Sequence, residues 1–345
     1  MAEGDISLKT TAGSRGCAAF LWLGTAWFLL SSMCDSEGSA ASPTQSRVAV
    51  TALVFSPDGS RLVSSGAREL EIWRTASLEK VGAVSCDLSK FGSLRFAPNG
   101  RVLVVAGGDP GRQGTVRVLR WPEREWISET GEHGDVVHRA ECDGTGTSWV
   151  TASADGRLGL WKMSAEGKLS SSSLWTAHKG PVFSAVFLGE GRWILSAGAD
   201  RSLKVWRSED GMLVRSLNYH TEPIQSLELM DPGDSGRAGG ALCVTAGQDR
   251  TLRVWQPEIG RMVRIVRGHE GSILAVASPK GSESLFTGGS EGVLRRIEAG
   301  SDRIMGTWKI HDDWIFALTA SPDGKWLASG DASGRIRLHE IEKLP

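Results

Sequence analysis

Cysteine and tyrosine are scarce in this chain of 345 residues, which has five cysteines and one tyrosine. No two cysteines form a CxxC pair or have the spacing of a zinc site, and no CxxCH haem-attachment motif occurs. These absences argue against a metal or thiol redox centre. The sequence therefore predicts no metal and no cofactor, and it predicts buried free thiols rather than a disulfide framework.

An excess of charge of one sign is also lacking. The chain has 39 Lys and Arg against 40 Asp and Glu, a formal net charge of -1, without a long run of either sign. A protein that binds nucleic acid needs a basic face toward the phosphate backbone. The HExxH and EF-hand signatures are absent as well. We therefore expect a protein that is not an enzyme and does not bind nucleic acid.

Residues 1–40 differ in character from the rest of the chain. Residues 17–30 (CAAFLWLGTAWFLL) are uncharged and follow two basic residues, and Ala40 and Ala41 are small residues suited to signal-peptidase cleavage. We interpret residues 1–40 as a signal peptide and residues 41–345 as the mature domain. The protein is then exported, and we expect it to be periplasmic or extracellular.

Two alternatives concern the same segment. A retained membrane anchor is one, although fourteen apolar residues in a helix cover only about 21 Å of a roughly 30 Å hydrocarbon core. Lipidation is the other, and residues 30–34 (LSSMC) match a lipoprotein box poorly because Met33 stands where a small residue is required. Contact with a membrane is expected only if the segment is retained.

Internal repeats dominate the remainder of the sequence. Seven short strand-like segments recur, most of them ending in tryptophan, and successive copies end 42 to 49 residues apart. They are LEIW (70–73), VRVL (116–119), LGLW (158–161), LKVW (203–206), LRVW (252–255), LRRI (294–297) and IRLH (336–339). Each follows two earlier strand-like segments joined by turn sequences such as SPDG (56–59). A period of this length with four strands per unit is the signature of a propeller blade.

From about residue 46 to 342 the sequence resembles the WD40-repeat family. Three consecutive repeats carry the four residues of the family's structural tetrad: His133, Thr151, Asp155 and Trp161; His178, Ser196, Asp200 and Trp206; His220, Thr245, Asp249 and Trp255. The resemblance implies an all-β, seven-bladed β-propeller. It also implies that each tetrad forms a hydrogen-bonded chain from indole through hydroxyl and imidazole to carboxylate.

The other four repeats depart from this pattern. The first has Ser46 in the histidine position, and the second has Leu119 in the tryptophan position. The sixth has Glu291 in place of the aspartate. The last has Ser333 and His339 in the aspartate and tryptophan positions. Blades three to five are therefore expected to be the most rigid.

Ring closure poses a difficulty. In the family the N-terminal segment supplies the outermost strand of the last blade, but few residues flank the repeats at either end of the predicted mature chain. We expect a seventh blade of three strands, with its outer edge open or patched by residues 41–48. An open edge is able to pair with another chain.

The histidines and aspartates have a structural interpretation. Five of the seven histidines occupy the same repeat position in different blades, as a structural role predicts; they are His133, His178, His220, His269 and His311. His138 and His339 are expected to pack. The glycine-rich residues 107–114 (GGDPGRQG) lack a GK[ST] ending, and we expect a hairpin loop rather than a phosphate site.

Binding to another protein is the function that the resemblance implies. The loops between blades, together with the turns between the second and third strands, converge on one face of a propeller. The residues predicted to contact a partner there are Trp314, Lys179, Arg201, Glu222, Gln248 and Arg250. Trp314 is the strongest anchor, since an aromatic residue beside polar residues is typical of interface hot spots. The alternative for Trp314 is packing between blades seven and one.

We thus predict a non-catalytic protein-interaction scaffold with no catalytic residues. The alternative is a secreted propeller enzyme or small-ligand-binding protein that uses the axial funnel, which would show a deep pocket with convergent polar groups.

Overall fold

The computed structural model of the chain describes residues 48–230, 241–282 and 284–344. These residues form seven antiparallel sheets, six of four strands and one of three, and each sheet follows chain order. We number the sheets as blades 1 to 7 along the chain. The predicted signal peptide, residues 1–40, and all of the predicted edge patch except Val48 lie outside the described residues and stay predictions.

The strands of blades 1 to 4 are β1 (Leu53–Phe55), β2 (Arg61–Ser65), β3 (Glu69–Arg74), β4 (Glu79–Ser85); β5 (Lys90–Phe96), β6 (Val102–Asp109), β7 (Gln113–Arg120), β8 (Glu125–His133); β9 (Val137–Cys142), β10 (Ser148–Ser153), β11 (Arg157–Met163), β12 (Leu169–Thr176); β13 (Val182–Leu188), β14 (Trp193–Gly198), β15 (Leu203–Arg207), β16 (Leu213–Leu217). Those of blades 5 to 7 are β17 (Ile224–Met230), β18 (Leu242–Gly247), β19 (Leu252–Gln256), β20 (Arg261–Val266); β21 (Ile273–Ala277), β22 (Ser284–Gly289), β23 (Val293–Glu298), β24 (Ile304–Lys309); β25 (Ile315–Ala320), β26 (Trp326–Asp331), β27 (Ile336–Glu340).

The repeat pattern locates the blades correctly. All seven repeated segments lie in the third strand of a blade, and the SPDG turns at residues 56–59 and 321–324 join first and second strands. Gly59 and Gly324 close these turns with φ of 70° and 69°, a conformation that glycine adopts without steric cost. The prediction of a seven-bladed β-propeller is confirmed.

The first strands of the blades are innermost, and each contacts the first strand of the next blade around the ring. Seven hydrophobic clusters fill the spaces between neighbouring blades. One of them joins Leu53 and Phe55 of blade 1 to Ala317 and Ala328 of blade 7. Burial of apolar surface between blades, rather than within any single sheet, therefore supplies the core.

Blade 7 has three strands among the described residues, as expected. A 3₁₀ turn, Ile341–Lys343, follows β27, and Ile341 is buried in the cluster between blades 6 and 7. The amide of Val50 also donates a 3.0 Å hydrogen bond to the carbonyl of Asp331 in blade 7. Packing between blades 7 and 1 thus contributes to ring closure directly.

The expected loop at residues 107–114 is largely strand. β6 continues to Asp109 and β7 begins at Gln113, so only residues 110–112 form the turn. A longer ladder is possible there because Gly107, Gly108 and Gly114 lie against backbone atoms where a Cβ would collide.

Candidate functional site

The tetrad side chains of blade 5 form a continuous hydrogen-bonded chain. The indole Nε1 of Trp255 donates to the Thr245 hydroxyl at 2.8 Å, and that hydroxyl lies 2.7 Å from Nε2 of His220. Nδ1 of His220 lies 2.8 Å from the Asp249 carboxylate. The same arrangement links His133, Thr151, Asp155 and Trp161 in blade 3 and His178, Ser196, Asp200 and Trp206 in blade 4.

Burial and hydrogen bonding together determine the protonation states of the tetrad residues. Burial lowers the pKa of His220 more than the hydrogen bond with Asp249 raises it, so the imidazole is neutral at pH 7. Burial raises the pKa of the Asp249 carboxyl, but the hydrogen bonds from His220 and Thr251 outweigh burial and hold that pKa well below its usual value. A neutral imidazole between a hydroxyl and a carboxylate satisfies every buried polar atom of the chain, and this gives the tetrad a structural role.

Blade 7 builds its tetrad with a residue that the sequence pattern misplaced. Nδ1 of His311 lies 2.7 Å from Asp331, not from Ser333, and Nε2 lies 2.8 Å from the Ser329 hydroxyl. Asp331 is fully buried and also accepts from the Ser333 hydroxyl at 2.8 Å. The assignment of Ser333 to the aspartate position was wrong, because the carboxylate comes two residues after the hydroxyl residue rather than four.

We expect Asp331→Ala to destabilise the protein by about 2 kcal/mol, since it leaves the buried His311 ring and the Arg335 amide without their acceptor. Urea unfolding followed by tryptophan fluorescence measures this. Ser333→Ala is the matched control and should cost less than about 1 kcal/mol. Equal losses of stability in the two variants would contradict the assignment of the aspartate role to Asp331 rather than to Ser333.

Blade 6 keeps only part of the tetrad. Nε2 of His269 lies 2.9 Å from the Thr287 hydroxyl, but its Nδ1 is buried and finds no hydrogen-bond partner in the described part of the chain. Glu291, in the aspartate position, instead pairs with Arg295. Burial lowers the pKa of His269 to about 4.

Blades 1 and 2 depart further. In blade 1 the indole of Trp73 donates to the Ser64 hydroxyl at 2.9 Å, and Ser46 lies outside the described residues. In blade 2 Val105 and Leu119 occupy the hydroxyl and tryptophan positions, and both are fully buried. An apolar pair thus replaces the hydrogen-bonded side chains in blade 2, and this pair needs no hydrogen-bond partners.

The loops between blades and the turns between second and third strands form one face, which we call the upper face. Five of the six predicted partner-binding residues lie on it at blades 4 and 5, and the sixth, Trp314, lies in the loop between blades 6 and 7. Of the six, all except the half-buried Gln248 are exposed. Arg201 of blade 4 reaches the carbonyl of Thr221 at the entrance to blade 5, at 3.4 Å.

Trp314 is held in a fixed loop with its ring partly in solvent. Trp314 is 39% exposed, and its ring meets the Phe316 ring edge-on with the two centroids 6.2 Å apart. Its amide donates to the Asp313 carboxylate at 2.8 Å, and its carbonyl accepts from the Ala332 amide at 2.9 Å. Trp314 is not a member of the hydrophobic cluster between blades 7 and 1.

A charged network lies between the innermost strands and was not anticipated. Arg139 of β9 contacts Glu228 of β17 at 2.5 Å and Glu141 of its own strand at 3.1 Å. Arg95 of β5 contacts the other oxygen of Glu141 at 2.7 Å. The network joins blades 2, 3 and 5. The sequence signal that could have indicated this network is the pair of charged residues at alternate positions of one innermost strand, Arg139 and Glu141.

The three thiols among the described residues are protonated at neutral pH. Burial raises the pKa of Cys86 to about 11 and that of Cys142 to about 12, and it also raises the pKa of Cys243. All three are free, as predicted. A reactive cysteine needs a lowered pKa, so none of the three is an activated nucleophile.

No group of three or more His, Cys, Asp and Glu side chains within the described ranges is arranged to hold a metal ion. In residues 48–230, 241–282 and 284–344 no helix has the length and apolar character needed to cross a membrane.

Comparison with known proteins agrees with this geometry. The model of the WD domain, G-beta repeat family matches residues 42–74, 169–207, 211–256 and 303–340. Relatives include telomerase protein component 1 of Rattus norvegicus, 28% identical over 70% of this chain and 9% of its own length. Actin-interacting protein 1 of Drosophila melanogaster is 24% identical over 81% of this chain and 45% of its own length. The F-box-like/WD repeat-containing protein TBL1X of Mus musculus is 27% identical over 38% of this chain and 24% of its own length.

The chain thus spans less than half the length of each of these relatives. The four family matches, the relatives and the seven blades with their tetrads together show that the chain belongs to the WD40-repeat family.

Proposed function

We propose that the protein is a non-catalytic scaffold that binds a protein partner on its upper face. The observation that carries the proposal is Trp314, an aromatic side chain partly in solvent on a loop whose backbone is fixed on both sides by hydrogen bonds. Aromatic anchors of this kind dominate binding energy at protein interfaces. A loop that is already ordered loses little conformational entropy on binding.

The surroundings of Trp314 suit such an interface. The exposed Asp312 pairs with Arg335 at 2.7 Å, which places a polar rim beside the indole. His311, three residues before Trp314, is buried and anchored in the blade 7 tetrad. A rigid aromatic group with a polar rim is the composition that protein interfaces favour.

The polar groups of the protein favour a scaffold over a propeller enzyme or small-ligand binder. The tetrad imidazoles and carboxylates are hydrogen-bonded to one another, and the charged groups between the innermost strands pair among themselves. A cavity of about 350 Å³ lies on the outer strands of blade 2, lined by Arg117, Trp126, Ser128 and Glu129, away from the axis. The name of actin-interacting protein 1 likewise indicates a protein partner for that relative, which supports the same class of ligand here.

Crosslinked affinity purification of the tagged protein from its native cells tests the proposal. Trp314→Ala and the double variant Trp314→Ala, Arg250→Glu are processed beside the wild type. The matched control is Lys280→Glu, which changes an exposed residue in a turn on the opposite face. We expect a stoichiometric partner with the wild type and the control, at least about tenfold less with Trp314→Ala, and none with the double variant.

Two other outcomes would contradict the proposal. Recovery of the same partner with all four proteins would remove the interface from the upper face and direct attention to the edge of blade 7. No stoichiometric partner with the wild type would overturn the scaffold and leave the enzyme or ligand-binding alternative.

A further inference from the structure

An unusual backbone conformation recurs on the upper face. The turn between the second and third strands contains a residue with positive φ in every blade, and in six of them this residue lies five positions before the end of the repeated segment. In three blades this residue is glycine: Gly156 (82°), Gly292 (64°) and Gly334 (80°). In the other three it is arginine: Arg68 (56°), Arg201 (66°) and Arg250 (61°).

Arginine is not needed to make this turn. Glycine forms it in blades 3, 6 and 7 without steric cost, whereas a residue with a Cβ in this region loses on the order of 1 kcal/mol. Residues held in disfavoured backbone conformations cluster at binding sites. The arginine side chains at these turns are therefore candidates for a binding role.

The three arginines differ in what their side chains contact. Arg68 pairs with Asp87 at 2.9 Å, and Arg201 donates to the Thr221 carbonyl. The guanidinium of Arg250 has no hydrogen bond or ion pair with any residue in the described ranges, and Arg250 is exposed. The whole guanidinium of Arg250 is therefore available to a partner, and Arg201 uses only Nη1 in its contact with Thr221.

Arg201 and Arg250 belong to one continuous strip of the surface. The amide of Lys179 donates to the Asp200 carboxylate at 3.2 Å, which brings Lys179 beside Arg201. The amide of Thr221 donates to the Asp249 carboxylate at 3.2 Å, next to Arg250. Since Arg201 also reaches Thr221, the strip continues from blade 4 to blade 5 without a break.

A fourth cation extends the strip. Val266 of β20 pairs with Leu252 of β19, so Arg267 comes one position further along, at the level of Thr251 and next to Arg250. Arg267 is exposed. We call Lys179, Arg201, Arg250 and Arg267 the basic arc.

The tetrad carboxylates beneath the basic arc do not neutralise its positive charge. Each tetrad carboxylate beneath it has a cation of its own: Lys204 lies 3.3 Å from Asp200, and Arg253 lies 3.2 Å from Asp249. At the surface two exposed carboxylates, Glu222 and Glu270, stand near the four cations of the arc. The strip therefore keeps an excess of positive charge.

We infer that the basic arc binds an acidic segment of the protein partner, rich in glutamate or aspartate. This inference rests on the proposed function and names its partner chemistry. Arg201 and Arg250 would pair with carboxylates, for which the guanidinium fork is well suited. Glu222 and Glu270 would repel a continuous phosphodiester backbone, whereas a peptide is able to place a neutral or basic residue opposite them.

Fluorescence anisotropy with a short, labelled glutamate-rich peptide at low salt tests the inference. We expect binding that weakens as salt is added, and a roughly tenfold loss of affinity in Arg250→Gly. Glycine is the residue of the sister turns, so this variant should melt at the same temperature as the wild type or higher. Loss of binding cannot then be ascribed to misfolding.

Arg68→Gly is the matched control. It makes the same substitution at the same backbone conformation and the same change in net charge, but outside the arc, and should leave the peptide affinity unchanged. Arg201→Gly should weaken binding about as much as Arg250→Gly. A lysine-rich peptide and a single-stranded oligonucleotide serve as alternative ligands.

Three results would overturn the inference: no binding of the glutamate-rich peptide, an equal loss in Arg68→Gly, or tighter binding of the oligonucleotide or the lysine-rich peptide. If the peptide fails while Trp314→Ala still reduces partner capture, the acidic partner is wrong and the scaffold stands. If both fail, both proposals fall.

Discussion

Replacing Arg139 with methionine is expected to lower the free energy of unfolding by about 3 kcal/mol. The substitution leaves Glu228 and one oxygen of the buried Glu141 facing each other between the innermost strands without the cation that joins them. Removal of one partner from a buried ion pair costs more than the pair contributed, because an uncompensated charge stays behind. Urea unfolding followed by far-UV circular dichroism gives the change at pH 7.

The matched control is Arg95→Met. Arg95 contacts the same Glu141, but about half of its side chain (51%) is exposed, and Glu141 keeps its contact with Arg139 when Arg95 is replaced. We expect a cost below about 1 kcal/mol. Adding Glu228→Gln to Arg139→Met should restore part of the stability, since it removes the unpaired charge. Equal effects of the two arginine variants, or no rescue, would show that the network does not stabilise the ring.

Acid is expected to destabilise the protein strongly between pH 6.5 and 4. Burial lowers the pKa of His138, His269 and His339 to about 4 in each case, against an ordinary value of 6.5. As the pH falls through this window, the unfolded chain takes up protons on these rings and the folded protein does not. Stability is therefore complete above pH 6.5 and is lost toward pH 4, at up to about 1.4 kcal/mol per pH unit for each ring.

The three rings together give a slope of up to about 4 kcal/mol per pH unit near pH 5. Urea unfolding at a series of pH values from 7 to 4.5 measures the slope. His339→Asn, which removes one titrating group, should reduce the slope by up to about 1.4 kcal/mol per pH unit. The tetrad carboxyls, with pKa held below the ordinary value, lose their contribution only below about pH 4. A flat stability profile between pH 7 and 5 would contradict the prediction.

The blades and the tetrads of blades 3 to 5 could be predicted from sequence for a local reason. In these three tetrads the hydroxyl residue, the aspartate and the tryptophan follow one another at the same spacing. The third strands of four blades also alternate apolar residues and carry a tryptophan, as Trp255 in Leu252–Gln256. Short-range patterns of this kind need no knowledge of the partner strand. The error at Ser333 arose from the same reliance on spacing. In blades 3 to 5 the aspartate comes four residues after the hydroxyl residue, whereas in blade 7 the carboxylate that contacts His311 is Asp331, two residues after Ser329.

The features that sequence did not reveal depend on contacts between distant segments. Arg139 and Glu228 are 89 residues apart and meet only because their strands are both innermost. The positive φ of Arg250 is a property of the turn, and arginine gives no hint of it in a sequence. The half-exposed position of Trp314 depends likewise on the loop bonds to Asp313 and Ala332.

The clusters between blades impose an order on events during protein synthesis. Six of the seven join blades that are consecutive in the chain, and they are able to form as each new blade leaves the ribosome. The seventh joins Leu53 to Ala317 and has to wait until nearly the whole chain is made. Until then blade 1 presents Leu53 and Phe55 to water. The nascent chain therefore carries an unprotected apolar surface for most of its synthesis, and this is the stage at which it is most exposed to aggregation.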